Sequence, residues 1–249
     1  AGSGGLTAAK TAARFGARAL LVERLPRLGG DCTWFGCVPS KALIRCAHAA
    51  HEARNGGRFG VAGVDPEAVR TDWQKVKQHI KSCQEKIYKQ DDSPEVLQAS
   101  GVHVRLGYHA SFVDARTLQL TPVDETQGRE LVSAAHFILC TGASPSLPPL
   151  AGLDKVPYLT YETVFDLESL PDSLAVIGGG PIGSELAQAM ARLGAKVTMV
   201  GKLMPREDED VRSVMSRVFE EEGISVLTGR AESVEAQGSG LALKTGDGQ

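Results

Sequence analysis

Apolar residues recur along this chain with two spacings, and the change from one to the other marks its organisation. Leu6 to Gly16 is Ala-rich and ends at glycine, as a helix does. Ala17 to Glu23 is a short apolar strand closing on an acid. Pro39 to Arg54 predicts a second helix, with proline suited to a first helical position and Gly56-Gly57 as its stop. Trp73, Val76, Ile80, Cys83 and Ile87 are three and four apart, so Asp72 to Gln90 predicts an amphipathic helix. A short helix over Pro94 to Ser100 ends at Gly101. The pattern then turns to strands over Val102 to Leu106, Ser111 to Asp114, Thr117 to Thr121 and Ala135 to Cys140. Pro145, Pro148, Pro149 and Gly152 break it, placing a domain boundary near 150 and dividing the chain into residues 1–150 and 151–249. From Leu174 on, strand, glycine turn, helix, strand, helix and strand alternate, which implies an α/β domain with a parallel sheet.

Both ends read as interrupted. The glycine turn at Ala1-Gly2-Ser3-Gly4-Gly5 opens a helix but has no strand before it. Thr245-Gly246-Asp247-Gly248-Gln249 reads as a hairpin turn whose returning strand would follow. The expectation is an internal piece of a longer protein, with both of its domains incomplete.

Composition narrows the function classes. With 42% hydrophobic and 23% charged residues, the chain can bury a substantial core. A formal net charge of −3 gives no basic surface for nucleic acid, and no stretch is apolar for long enough to span a membrane. Five cysteines is an odd number, better suited to a reducing compartment such as the cytoplasm or an organelle than to a disulfide framework.

The glycine turns carry the first chemical signal. Ala175-Val176-Ile177 runs into Gly178-Gly179-Gly180-Pro181-Ile182-Gly183 and then a helix. Gly178, Gly180 and Gly183 fit G-x-G-x-x-G between strand and helix: one makes the turn, one admits a pyrophosphate, one lets helix and strand pack. The helix N-terminus then favours the anion. Gly201 stands where an NAD-selective site places an acid, and Lys202 and Arg206 follow, a combination that suits the 2′-phosphate of NADPH. Ordinary solvated cations are the competing reading for both. Gly2 and Gly5 can be the second and third glycines of an earlier copy, with Glu23 eighteen residues beyond Gly5 as its ribose-binding acid. The fold class is therefore α/β with two Rossmann-like dinucleotide-binding units. The acidic run Glu207 to Asp210 suits a helix start.

Cys32 and Cys37 enclose Thr33-Trp34-Phe35-Gly36 and lead into the helix at Pro39, whose N-terminus is expected to lower a thiol pKa. Closing so short a loop gains only about 2 kcal/mol, a poor return for a structural staple. No second cysteine pair completes a metal site. A redox-active pair is the leading reading. Cys46, His48 and His51 read as a packed thiol and a helix-surface pair, and Cys83 and Cys140 as buried core thiols.

Leu28-Gly29-Gly30-Asp31-Cys32-Thr33-Trp34-Phe35-Gly36-Cys37-Val38-Pro39-Ser40-Lys41 resembles the signature of the class I pyridine nucleotide–disulfide oxidoreductases, which include dihydrolipoamide dehydrogenase, glutathione reductase and mercuric reductase. Cys140-Thr141-Gly142-Ala143-Ser144-Pro145 and Leu170 to Glu185 are similar to the segments that close over FAD and enter the NAD(P) domain. The resemblance implies FAD as cofactor and NADPH or NADH as reductant, with electrons leaving through a Cys32–Cys37 disulfide to a disulfide or metal-ion substrate. It implies that Cys37 is the flavin-side thiolate, that Cys32 is the interchange thiol, and that Lys41 is paired with Glu185 near the flavin. It places Gly2, Ser3, Gly5, Glu23, Arg24, Gly30, Asp31, Lys41, Ala110, Thr141, Gly142 and Ala143 around FAD. Around the pyridine nucleotide it places Gly178, Gly180, Pro181, Ile182, Gly183, Gly201, Lys202 and Arg206.

A homodimer is implied for the full-length protein, with a His–Glu acid–base pair beyond Gln249, so this chain alone should be inactive. Many relatives carry Thr at Asp31, Asn-Val at Trp34-Phe35 and Tyr at Pro181. Two rivals remain: a flavin–dithiol reductase of quinone or peroxide, and a non-catalytic dinucleotide-binding partner with structural or metal-binding cysteines.

Overall fold

A computed structural model describes residues 1–124, 128–238 and 240–246. The last residues of the predicted terminal turn, Asp247 to Gln249, lie outside the described residues. The chain divides into two compact units, one formed by Ala1–Pro39 with Lys81–Ser144, the other by Ser40–Ile80 with Pro145–Gln249.

In the first unit, helix α1 (Ser3–Arg14) leads into strand β1 (Ala19–Glu23). One turn of helix, α2 (Gly30–Trp34), precedes the long helix α3 (Cys37–Asn55), whose residues from Ser40 on belong to the second unit. Helix α4 (Trp73–Ile87), which belongs to the first unit from Lys81 on, continues as a π-turn over Tyr88–Asp92, and α5 (Pro94–Ala99) follows. Strand β2 (Val102–Leu106) lies parallel to β1, with Ala19 opposite Val102. Leu6, Ala9, Leu21, Leu28, Leu97 and Val102 form the core beneath this pair, because α1 and α5 both turn apolar faces to it. Strands β3 (Tyr108–Asp114), β4 (Thr117–Pro122) and β5 (Glu130–Ser133) form a separate antiparallel sheet.

In the second unit, β6 (Ser173–Gly179), β7 (Lys196–Leu203) and β8 (Ser225–Leu227) form a parallel sheet in chain order. Helices α6 (Pro181–Leu193) and α7 (Glu209–Glu221) connect its strands, the βαβ arrangement that the alternation implies. Ala187, Met190, Leu193, Val197, Met199 and Phe219 are buried there. Asp208, Glu209 and Asp210 stand at the start of α7, as the acidic run suggests. Strands β9 (Ala231–Gln237) and β10 (Gly240–Thr245) form an antiparallel hairpin.

Several expectations need correction. Ala135 to Cys140 forms no strand. A strand exists only where a neighbour takes its hydrogen bonds, and here Ile138 and Leu139 stay 67% and 73% exposed. Helix α3 starts at Cys37, not Pro39; proline at its third position is tolerated because the first helical N–H groups have no intrahelical acceptor. Cys83 and Cys140 are half-buried, not core residues; the sulfur of Cys140 lies against the open face of Gly4. Among the described residues, no helix is long and apolar enough to cross a membrane.

Candidate functional site

The first glycine turn is built by close backbone approach. Gly2 sits at the N-cap of α1, whose first-turn N–H groups have no side-chain cap. Gly30 has a φ of +55°, and a Cβ there would lie 2.3 Å from the Cα of Gly2. A Cβ on Gly5 would meet Leu21 Cδ1 at 3.3 Å, the helix-on-strand contact expected of the motif's third glycine. Ala1 O accepts from Gly29 N at 3.1 Å, tying the turn to the glycines that lead into the cysteine loop. Ser3 and Arg24 are exposed.

Glu23 closes β1 and accepts from Leu25 N at 2.9 Å. Ala110 lies exposed on β3, and Thr141, Gly142 and Ala143 lie exposed in irregular chain.

The cysteine loop is a tight double turn. Phe35 N and Gly36 N both donate to Asp31 O, at 2.8 and 2.7 Å. The fold brings Cys32 (half-buried, in α2) and Cys37 (exposed, first in α3) together, and their side chains hydrogen-bond. Burial pushes the Cys32 thiol up, and the hydrogen bond and charge of Cys37 push it further, to about 11. The expected lowering by a helix N-terminus therefore fails at Cys32. The backbone N–H of Cys37, first in α3, does push the Cys32 thiol down, but burial and the Cys37 side chain outweigh that donor. Asp31, in the first turn of α2, is exposed.

Sequence reasoning missed what holds this loop. Thr33 Oγ1 donates to Asp92 Oδ2 at 2.6 Å, with both residues buried. The Trp34 indole donates to Leu28 O at 2.7 Å, carries the Arg27 guanidinium 3.6 Å above its ring, and packs on Tyr88 at 5.4 Å between centroids. Gln84 Nε2 donates to Trp34 O at 2.9 Å. No sequence signal announced it, because the four-residue spacing of Gln84, Tyr88 and Asp92 does not keep all three on one face of a straight α-helix.

In the second unit, Lys41 Nζ meets both carboxylate oxygens of Glu185 at 2.7 and 2.8 Å, although 144 residues separate them. Lys41 follows Cys37 by one turn of α3, and Glu185 stands in the second turn of α6. The pair is solvent-exposed, so it contributes only about 0–1 kcal/mol to stability.

The second glycine turn joins β6 to α6. Gly178 has a φ of +104°, and a Cβ on Gly183 would fall 2.1 Å from Gly178 O, so strand and helix meet through glycine alone. Gly180 is the N-cap of α6 and has open space around its missing side chain; α6 has no side-chain cap, and Pro181 and the exposed Ile182 begin it. Helix N–H groups and open space are what a pyrophosphate requires. Gly201 has a φ of +125°, so an acid at that position would be strained. Lys202 lies exposed at the end of β7, and Arg206 lies exposed in the turn after it. Among the described residues, no group of three or more His, Cys, Asp or Glu is arranged to hold a metal ion.

Comparison with known proteins follows from this geometry. The family model for pyridine nucleotide-disulphide oxidoreductases matches residues 1–249. A mercuric reductase of Streptomyces lividans is 36% identical over 98% of this chain and 51% of its own length. Dihydrolipoyl dehydrogenase 2 of Haloarcula marismortui is 35% identical over 99% of this chain and 51% of its own. The solved structure of LpdA from Mycobacterium tuberculosis matches with a TM-score of 0.82 at 26% identity, covering 98% of this chain and 53% of that one. The flavoprotein disulfide reductase RclA of Escherichia coli gives 0.78 at 23% identity, over 100% of this chain and 52% of that one, a likeness of fold alone. The chain spans about half the length of the curated relatives it matches. An α/β chain with two glycine turns, a cysteine pair at the head of a helix and this family's model matched from end to end belongs to the pyridine nucleotide-disulphide oxidoreductases.

Proposed function

We propose that this chain is the cofactor-binding half of a flavin–dithiol reductase. In this reading residues 1–150 hold FAD and residues 151–249 hold NADPH in preference to NADH. Cys32 and Cys37 pass electrons to a disulfide or metal-ion substrate. The observation that carries the reading is the pair of hydrogen-bonded thiols placed directly after the Gly2–Gly30 contact. That cradle fits a dinucleotide: it has no side chains, its helix N-terminus is uncapped, and Glu23 stands at the end of the adjoining strand. Bound there, a flavin would relay an electron pair between a nicotinamide and a disulfide.

The protein's own residues then carry the thiol chemistry. Cys32 sulfur attacks a substrate disulfide, forming a mixed disulfide and releasing the first substrate thiol. Cys37 sulfur attacks Cys32 sulfur, forming the Cys32–Cys37 disulfide and releasing the second. The substrate gains two electrons and the cysteine pair loses them; the two thiol protons leave with the products. Because Cys32 holds its proton tightly, that proton must move as the sulfur attacks, and it ends on the departing substrate thiolate. Lys41, held by Glu185, is assigned to stabilise negative charge that develops beside the pair. Gly201, Lys202 and Arg206 support the choice of NADPH, since they offer cations and no ribose-binding acid.

The test is an anaerobic reduction of the full-length protein by two electrons, followed by absorption. A long-wavelength thiolate-to-flavin band that is lost in Cys37→Ser supports the reading. A protein without bound flavin, or with zinc on its cysteines, overturns it. Cys32→Ser should keep the flavin and lose disulfide reduction.

A further inference from the structure

We propose that Thr33 and Trp34, the two residues that follow Cys32, are positioning residues, gripped by one face of α4 and its π-turn, and that this grip sets the dithiol–disulfide equilibrium of the cysteine pair. The proposal rests on the redox role of Cys32 and Cys37. Gln84, Tyr88 and Asp92 are four residues apart and all reach the loop: Gln84 holds Trp34 O, Tyr88 packs on the indole, and Asp92 accepts from Thr33.

A straight α-helix would not supply all three. At 3.6 residues per turn, eight residues bring the face round to about 80° from its start. The π-turn over Tyr88–Asp92 takes more residues per turn and restores the alignment. It turns Asp92 to the loop, where it accepts from Thr33; such insertions are uncommon and cluster at functional sites. Arg27 lies over the indole ring, and Leu28 O fixes its edge. The loop is thereby tied through both side chains and one carbonyl, while its own bonds to Asp31 O set its curvature.

The consequence is thermodynamic. A disulfide needs its two β-carbons about 3.8 Å apart in a narrow range of orientation. A loop already held with its sulfurs in contact loses little freedom on oxidation, so the grip favours the disulfide over the dithiol.

The test equilibrates the full-length protein with glutathione buffers. Cys32 and Cys37 thiols are oxidised to one disulfide while one glutathione disulfide is reduced to two glutathiones, which take the two thiol protons. Alkylation and mass spectrometry then read the Cys32–Cys37 disulfide. Thr33→Val and Trp34→Leu should each weaken disulfide formation about tenfold, equivalent to a rise of about 30 mV in midpoint. Thr33→Ser, which keeps the hydroxyl, should stay within twofold of the unmodified protein. Gln84→Ala, at a half-exposed helix position, should shift the equilibrium in the same direction by at least threefold and serves if the loop variants do not fold. The proposal is overturned if these variants fold and match the unmodified protein within twofold, or if Thr33→Ser shifts as far as Thr33→Val. An unmodified protein that forms no Cys32–Cys37 disulfide in any buffer overturns the redox role itself.

Discussion

Gly180→Ala separates binding from folding in the second glycine turn. The backbone at Gly180 has φ −72° and ψ 178°, a conformation alanine adopts freely. A Cβ built there meets nothing within 4 Å. Folding should therefore suffer little: the loss of unfolded-state freedom, worth about 0.4–1 kcal/mol, offsets alanine's poorer preference for the N-cap position. The new methyl group occupies the space that a pyrophosphate must enter to reach the helix N–H groups. Losing one or two charge-assisted hydrogen bonds costs about 1.5–3 kcal/mol, or about 10- to 100-fold in affinity. Gly183→Ala is the counterpart: its Cβ would sit 2.1 Å from Gly178 O, so strand and helix must part. Overpacking of that kind costs about 1–3 kcal/mol, and both melting temperature and affinity should fall. Calorimetric titration with NADPH and thermal melting of the full-length variants read the two effects apart. Gly180→Ala binding NADPH within threefold of the unmodified protein would refute the assignment of this turn to the pyrophosphate.

Other outcomes follow from the same geometry. With Cys32 raised to about 11, only about one molecule in 10⁴ carries its thiolate at pH 7; iodoacetamide labelling of Cys32 should rise about tenfold per pH unit from 7 to 10, and a plateau below pH 9 would contradict it. Lys41→Met should move the melting temperature little, since the Lys41–Glu185 pair is exposed, yet lower NADPH-driven turnover at least tenfold; stopped-flow reduction of the protein checks this. Lys202→Glu combined with Arg206→Ala should raise the KM for NADPH at least tenfold and leave that for NADH within threefold. A lower KM and higher kcat with NADH in the unmodified protein would remove the basis for the NADPH preference.

The helices and the glycine turns were legible because their signals are local. Trp73, Val76 and Ile80, picked out by spacing, are buried, and Gly183 makes the contact that its place in the motif requires. The Lys41–Glu185 pair is not local, and only the family resemblance brought its partners to notice. What escaped depends on neighbours supplied by distant chain. Ala135 to Cys140 has a strand's composition but no ladder partner among the described residues. The acidity of Cys32 follows from burial and from Cys37, which outweigh any local helix end. Tyr88 falls near the end of the helix expected over Asp72 to Gln90 and Asp92 beyond it; a π-turn has no sequence signature by which their approach to Thr33 and Trp34 could be foreseen.

The central claim is that electrons leave the full-length protein through Cys32 and Cys37. Differential thiol labelling with peptide mass mapping, before and after one equivalent of NADPH under anaerobic conditions, tests it directly. The account predicts that the oxidised protein holds a Cys32–Cys37 disulfide and that one equivalent frees both thiols while Cys46, Cys83 and Cys140 are unchanged. Label appearing instead at those three cysteines, or a Cys32–Cys37 pair indifferent to NADPH, would contradict it.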